Sequence, residues 1–172
     1  RVLAADVAAP VSLPPFDNSA VDGYAVAFDD LAKAGETRLP VAARLFAGGA
    51  SGPLARQTAV RIFTGAPMPD GADTVFMQED CRTDGDSVIL PAGLKHGANR
   101  RLKGEDVKDG ATVLPAGTRL QPQHIAMAAA VGLTHFSVRR PIRIALFSTG
   151  DEIVEPGQPL PKAALYDANR SL

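Results

Sequence analysis

The sequence has no tryptophan, a single cysteine among its 172 residues and almost no net charge, with 18 lysines and arginines against 19 aspartates and glutamates. The lone Cys81 excludes a disulfide within the chain and a metal site built from cysteines. The balanced charge excludes a global positive field for nucleic acid or membranes, so any anion site must be local. No run of 18 apolar residues occurs, and we expect no membrane span and a reducing, cytoplasmic location.

Glycine and proline are abundant, at 16 and 14 residues. They favour many short elements joined by tight turns over long helices. Alternating or β-branched runs predict strands at 24–28, 39–46 and 58–65, and Asp84-Gly85 predicts a hairpin over about residues 74–90.

The last third of the chain has a different pattern. A helix is predicted over 122–131, with Pro122 in its first turn and Gly132 at its C-terminal cap. Residues 142–147 have the composition of a buried strand, which leads into the loop Ser148-Thr149-Gly150-Asp151-Glu152. Ligands of open α/β sheets lie at the carboxyl ends of strands, so this loop is a candidate site. The first nine residues fit a short helix or an extended segment.

The stretch "PPFDNSAVDGYAV", residues 14–26, places two carboxylates, Asp17 and Asp22, in a turn-rich segment. Mg²⁺ binds one or two carboxylates together with substrate oxygens, so this pair could hold a divalent cation. Both aspartates also fit ordinary Asx and Asp-Gly turns. Spacing alone favours the turns.

Three further segments carry polar side chains suited to anions. Thr64-Gly65 follows a predicted strand and could bind an anion through its hydroxyl and backbone N–H, or could simply end the strand. In "NRRLKGEDV", residues 99–107, arginines that favour oxyanions stand beside carboxylates that could hold a metal, although a solvated charged loop fits equally well. Glu152 could contact a substrate or metal. The three histidines show no metal-ligand spacing.

Together these motifs resemble the MoeA/gephyrin-E family of molybdopterin molybdenumtransferases. The resemblance covers essentially the whole chain, with Val21 and Arg100 as slight departures from the family pattern. It rests on the strings "PPFDNSAVDGYAV", "RIFTGAPMPDGADTVFMQED", "NRRLKGEDV", "TRLQPQHIAMAAAVG", "RRPIRIALFSTGDEIVEPG" and "LYDANRSL".

The resemblance implies an α+β, β-rich fold of bent sheets with an inserted second domain. Domain I would comprise residues 1–8 and 111–140, and domain II residues 9–110. Residues 141–172 would open a molybdopterin-binding α/β domain III with its first strand. We therefore expect this chain to be the N-terminal part of a longer enzyme, and to be inactive by itself.

The activity implied by the resemblance is the insertion of molybdenum from molybdate into adenylylated molybdopterin, with release of AMP and assistance from Mg²⁺ or another divalent cation. The family resemblance also implies a homodimer whose cleft is shared between subunits, and a molybdopterin adenylyltransferase as the upstream partner. Neither nucleic acid nor a membrane is expected as a partner.

The resemblance assigns roles to residues in four of the motifs. The implied catalytic residues are Asp22, Thr64, Asp106 and Glu152. The implied substrate-binding residues are Arg101, Thr149, Gly150 and Asp151, and the implied metal ligands are Asp22 and Asp106.

Two alternatives belong to other functional classes. The chain could be a non-catalytic dimerisation and scaffold module of a gephyrin-like protein. A generic nucleotide-binding domain resting on "STGDE" is disfavoured, because the sequence lacks a glycine-rich phosphate loop.

Overall fold

The computed structural model describes residues 1–50 and 52–171, and strands dominate it. The last position of the predicted domain III, residue 172, lies outside the described residues. The strands are β1 (Val7–Ala8), β2 (Asn18–Ser19), β3 (Gly23–Val26), β4 (Thr37–Leu45), β5 (Ala59–Ile62), β6 (Thr74–Met77), β7 (Arg82–Asp84), β8 (Ser87–Leu90), β9 (Arg100–Arg101), β10 (Thr112–Leu114), β11 (Ile153–Val154) and β12 (Leu165–Tyr166). The helix α1 spans Pro122–Ala130, and short 3-10 helices lie at Phe28–Asp30, Gln78–Asp80 and Asn169–Ser171.

The chain divides into two compact units, Arg1–Val138 and Arg139–Leu172. The first unit is built on a six-stranded sheet of order β6-β3-β5-β4-β8-β7. Within this sheet β4 and β5 pair in parallel, and the other described neighbours are antiparallel. The predicted α+β, strand-rich class is confirmed.

Both faces of this sheet are buried near its centre. Ala25 and Ile62 belong to one apolar cluster, whereas their neighbours Tyr24, Val26 and Ala59 belong to a second. This follows from the two-residue period of a strand, which sends successive side chains to opposite faces. Burial on both faces fixes the register of β3 against β5, and β3 begins one residue after Asp22.

Residues 1–8 lie beside the two segments that flank α1, one before the helix and one after it. β1 pairs antiparallel with β10. Val2 bridges to Arg119, and Leu3, fully buried, bridges to Val138. The further division of the first unit into domains I and II stays a prediction.

The structure gives the bounds of three predicted elements. The first nine residues contain no helix and include the short strand β1, which agrees with the extended alternative. The hairpin at Asp84-Gly85 forms, but only between β7 and β8, because β6 pairs with β3 instead. The predicted helix is confirmed as α1, with Gly132 in the left-handed conformation beyond its end at φ 82°.

The predicted buried strand over residues 142–147 is wrong. The segment is not in a sheet, and Ile142, Ile144 and Phe147 are each more than four-fifths exposed. In the described part of the second unit the only paired strands are β11 and β12, so no neighbour satisfies this backbone or covers these side chains.

Within the described residues, no helix combines the length and apolar character needed to cross a bilayer.

Gly23 is the position where the sheet tolerates no side chain. A Cβ on Gly23 would stand 1.7 Å from the carbonyl oxygen of Phe76, in the backbone of β6.

We expect Gly23→Ala to lower the free energy of unfolding by about 3 kcal/mol or more, since β6 must move away and lose pairing with β3. Urea denaturation measures this loss. Gly52→Ala is the matched control because a Cβ there meets nothing within 4 Å. Equal stability of the two variants would contradict the prediction.

Candidate functional site

The segment of residues 13–22 is held by backbone hydrogen bonds to a distant loop. The Gly104 N–H donates to the Pro14 carbonyl at 2.9 Å, and the Asp106 N–H donates to the Leu13 carbonyl at 2.9 Å. Leu13 donates in turn to the Val107 carbonyl at 2.7 Å. This part of the segment therefore has a fixed place beside residues 104–107.

The middle of the same segment lies between two other predicted motifs. On one side β2 pairs antiparallel with β9, so that Asn18 is opposite Arg101. On the other side the Ser19 N–H donates to the Ala66 carbonyl at 3.0 Å, and Gly65 donates to the Ser19 carbonyl at 2.9 Å. Three separate sequence motifs are thus brought together around β2.

Asp17 anchors this arrangement. One of its carboxylate oxygens accepts a hydrogen bond from the Lys103 N–H at 2.7 Å, and the other lies 4.0 Å from Arg100 Nη1. A carboxylate that accepts a backbone N–H from another loop fixes that loop in place. The side-chain contacts of Asp17 are thus long-range, and the Ser19 N–H that an Asx turn would use donates to Ala66 instead.

Asp22 has a different set of contacts. Its Oδ1 accepts hydrogen bonds from both the N–H and the hydroxyl of Thr64, at 2.8 and 2.7 Å. The backbone N–H and then the hydroxyl of Thr64 lower the pKa of the Asp22 carboxyl below its ordinary value, burial opposes them, and the charge of Arg61 adds a smaller lowering. Asp22 is therefore ionised at neutral pH, and no described residue donates a hydrogen bond to its Oδ2.

Arg101 and Asp106 form the second pair at this site. Arg101 Nη2 donates to Asp106 Oδ1 at 2.6 Å, and its Nε lies 3.5 Å from Glu105 Oε1. The hydrogen bond to Asp106 is the main cause that raises the pKa of the Arg101 guanidinium. Because the carboxylates of Asp106 and Glu105 balance its positive charge, the Arg101 guanidinium is oriented by its partners and is not an unpaired charge.

The remaining four candidates lie in the second unit. Gly150 has φ 140°, and a Cβ there would be 2.7 Å from Glu152 Oε2, so the Glu152 carboxylate is folded against this glycine. Ile153 closes the turn by donating to the Gly150 carbonyl at 3.1 Å. Thr149 and Asp151 complete the loop. The assignment of all eight site residues to one function stays a prediction.

Sequence reasoning missed Arg61, which stands inside a strand of β-branched residues. Its Nη1 donates to the carbonyls of Gly23 and Ile62 at 2.9 and 3.0 Å, and its Nη2 donates to the side chain of Gln78. Its guanidinium lies 4.5 Å from the ring centroid of Phe63 and 5.3 Å from that of Tyr24. The only signal in the sequence is a charged residue within the run "AVRIF", and that pattern fits an ordinary strand equally well.

Cys81 is not a nucleophile at neutral pH. Burial raises the pKa of its thiol to about 11, with Asp80 adding to the shift. The thiol also donates to the Met77 carbonyl at 3.1 Å. Since the thiolate is the reactive form, the raised pKa disfavours a reaction of this thiol at neutral pH.

A preformed metal centre is not found among the described residues, where no group of three or more histidine, cysteine, aspartate or glutamate side chains is suitably placed. Asp106 is neutralised by Arg101 at 2.6 Å and is a poor ligand. Asp22 keeps one carboxylate oxygen clear of hydrogen bonds from the described residues. Of the two implied metal ligands, Asp22 is therefore the one whose contacts leave a carboxylate oxygen for a cation.

Comparison with known proteins gives a consistent set of relatives. Residues 1–132 match the family model described as "MoeA N-terminal region (domain I and II)". The chain is 41% identical to a molybdopterin molybdenumtransferase of Haemophilus influenzae, covering 99% of this chain and 42% of that protein. It is 44% identical to molybdopterin molybdenumtransferase 2 of Mycobacterium tuberculosis, covering 98% and 42%. The chain thus spans about two fifths of these relatives.

A solved structure shares the fold. The crystal structure of a molybdopterin biosynthesis moeA protein from Pyrococcus horikoshii superposes with a TM-score of 0.89 at 35% identity. The match covers 99% of this chain and 45% of that one.

The contact between Asp22 and Thr64 generates a prediction about titration. Thr64→Val removes the hydroxyl donor but keeps the backbone N–H, so we expect the pKa of Asp22 to rise part of the way towards its ordinary value of 3.8. A carboxyl whose pKa is lowered by folding stabilises the protein above its unfolded pKa, and loses that contribution as the pH falls through its folded pKa. The variant should therefore show a weaker loss of stability on acidification.

Carboxyl ¹³C NMR titration of Asp22 measures the shift directly. Thr112→Val, at an exposed position of β10, is the control. An Asp22 pKa that is the same in Thr64→Val and in the control would show that the hydroxyl does not act on the carboxylate.

Proposed function

Since this chain belongs to the family of MoeA N-terminal regions, we propose that it is part of an enzyme of molybdenum cofactor biosynthesis. The full-length protein would be a molybdopterin molybdenumtransferase that inserts molybdenum from molybdate into adenylylated molybdopterin and releases AMP. The relatives that bear the transferase name support this assignment.

The observation that carries the proposal is the ionised Asp22 carboxylate held by Thr64. Two donors from one residue fix Oδ1 at 2.7–2.8 Å, which leaves Oδ2 to face a ligand. A carboxylate fixed before the substrate binds needs little reorganisation during the reaction, and such preorganised groups stabilise developing charge most effectively. Asp22 is thus proposed as a catalytic residue and Thr64 as the group that orients it.

Arg101 and Asp106 are proposed to act as a unit on the substrate oxyanions. Arginine presents up to five N–H donors, and the bond to Asp106 together with the contact to Glu105 leaves others for a phosphate or molybdate oxygen. Asp106 then serves to orient the guanidinium. Within the second unit, Glu152 is proposed as a catalytic residue, and Thr149, Gly150 and Asp151 as substrate-binding residues.

A divalent cation such as Mg²⁺ is proposed to assist by neutralising phosphate charge when bound. Asp22 is the residue that would hold it, because the Oδ2 atom accepts no hydrogen bond from the described residues. Asp106, the second ligand implied by the resemblance, fits less well on account of its bond to Arg101.

The assembly and setting of the enzyme are also proposals. We propose a homodimer with a cleft shared between subunits, supplied with substrate by a molybdopterin adenylyltransferase. We also propose a reducing, cytoplasmic compartment, since a chain with one cysteine has no internal disulfide that would need an oxidising one.

Asp22→Asn in the full-length protein tests the proposed function. The amide oxygen of asparagine can still accept both hydrogen bonds from Thr64, so the variant removes the charge and leaves the local structure intact. We expect molybdenum incorporation to fall by roughly 10²–10³-fold, the loss seen when one preorganised electrostatic group is removed. The free energy of unfolding should change by no more than about 0.5 kcal/mol.

Asp17→Asn is the matched control, because its amide oxygen can still accept from Lys103 while the same unit of charge is lost. It should retain most of the activity. If Asp22→Asn loses activity only in proportion to a lowered melting temperature, Asp22 is structural. Full activity in Asp22→Asn would instead favour the scaffold alternative for this part of the protein.

A further inference from the structure

We propose that the sheet carries a binding subsite for a tetrahedral oxyanion, formed by Arg44 and Arg61 beside Tyr24. The proposal deepens the proposed function and rests on it for the substrate class. The ligand would be either a phosphate group of the substrate or a free oxyanion such as molybdate, since both present the same charged tetrahedral oxygens.

The sheet register places these three residues in one row. Tyr24 of β3 is opposite Arg61 of β5, and Arg61 is opposite Arg44 of β4. Residues opposite one another on neighbouring strands project from the same face, with strands about 4.8 Å apart. Two guanidinium-bearing side chains therefore leave the same face from adjacent strands.

This row lines a cleft of about 270 Å³. The hydroxyl-bearing residues Thr83 and Ser87 also line it, and Asp86 is the one carboxylate among its lining residues. The cleft therefore has two cations against one anion, together with side chains that can donate further hydrogen bonds. A tetrahedral oxyanion is small enough for this volume.

The charge of the two arginines is not compensated by a direct ion pair. Within the described residues, neither Arg44 nor Arg61 has a carboxylate within 4.0 Å, although the charge of Arg61 does act on Asp22. By contrast Arg38, on the same strand as Arg44, pairs with Asp84 at 2.9 Å. Adjacent like charges in a sheet repel, and a bound oxyanion would remove that repulsion.

Arg61 is already held in position for such a ligand. Neutral carbonyls of Gly23 and Ile62 fix its Nη1, and its guanidinium lies over the ring of Phe63. Phe63 in turn stacks on Phe46, with ring centroids 4.6 Å apart. These contacts restrain the guanidinium without neutralising it, so little conformational entropy is lost when an anion binds.

The subsite adjoins the predicted catalytic carboxylate. Arg61 donates to the carbonyl of Gly23, the residue after Asp22. A substrate that contacts Asp22 with one group could therefore place a phosphate group in the cleft. This arrangement would separate two tasks, with Arg61 and Arg44 binding an oxyanion and Asp22 acting at the reacting group.

The test is ligand-dependent hydrogen–deuterium exchange of the full-length protein, followed by mass spectrometry of peptides that cover β4 and β5. The probes are molybdate, inorganic phosphate, AMP and adenosine at fixed ionic strength. Slower deuterium exchange in these peptides reports an anion bound at β4 and β5. An anion bound far from these strands would not slow it. We expect the oxyanions to protect β4 and β5, and adenosine to have no effect.

The dissociation constant of the oxyanion is obtained from the concentration at which these peptides become protected. Arg44→Gln should raise this constant by roughly tenfold or more, as expected when one charged hydrogen-bond donor is lost. Arg38→Gln, on the same strand but with its own carboxylate partner, should leave the constant unchanged. Tighter binding of AMP than of inorganic phosphate identifies a substrate phosphate as the ligand. Equal or tighter binding of molybdate identifies the free oxyanion.

The proposal is overturned if the oxyanions give no local protection, if adenosine protects as well as AMP, or if Arg44→Gln and Arg38→Gln weaken binding equally. Equal weakening in Arg44→Gln and Arg38→Gln would mean that anion binding depends on the overall charge of the protein and not on this cleft. Failure of the proposed function is a separate outcome, since it would show as full activity in Asp22→Asn with the Arg44-dependent protection intact.

Discussion

The backbone hydrogen bonds of residues 13–22 are the constraint on which the candidate site depends. At one end, this segment forms backbone hydrogen bonds with residues 104–107. Its strand β2 pairs with β9 on one side and forms hydrogen bonds with residues 65–66 on the other. Backbone groups buried in such a segment must be paired, and here the partners lie 46 to 94 positions away in the chain. The loops that carry Thr64 and Arg101 therefore owe their positions to this segment.

The charges of the site follow from the same arrangement. Asp17 accepts a backbone N–H from the loop that it anchors, whereas Asp22 accepts both donors of Thr64 on a single oxygen. Two aspartates five residues apart thus have different roles, and the difference lies in which donors reach them. The overall charge of the chain is close to zero, so the electrostatics of this region are local, as the composition indicates.

The six-stranded sheet connects the site to the rest of the first unit. Burial of both faces near its centre fixes the register, and that register sets Tyr24, Arg61 and Arg44 side by side at the edge of the buried region. Gly23 is required in β3 because the backbone of β6 approaches it too closely for any Cβ. The stretch from Asp22 to Tyr24 is therefore constrained by the sheet on one side and by Thr64 and Arg61 on the other.

The sequence by itself determined the strand-rich class, the helix α1 and its glycine cap, the hairpin turn at Asp84-Gly85 and the motifs that form the site. Each of these depends on local residue preferences or on a specific string of residues. The tertiary structure alone decided that β6 pairs with β3, that Asp22 is bound to Thr64 while Asp17 anchors Lys103, and that Arg61 lies beside Arg44. Among the described residues, 142–147 have no strand partner, and an apolar sequence pattern cannot specify one. Which distant segments pair depends on contacts across the whole fold, and local residue preferences do not specify them.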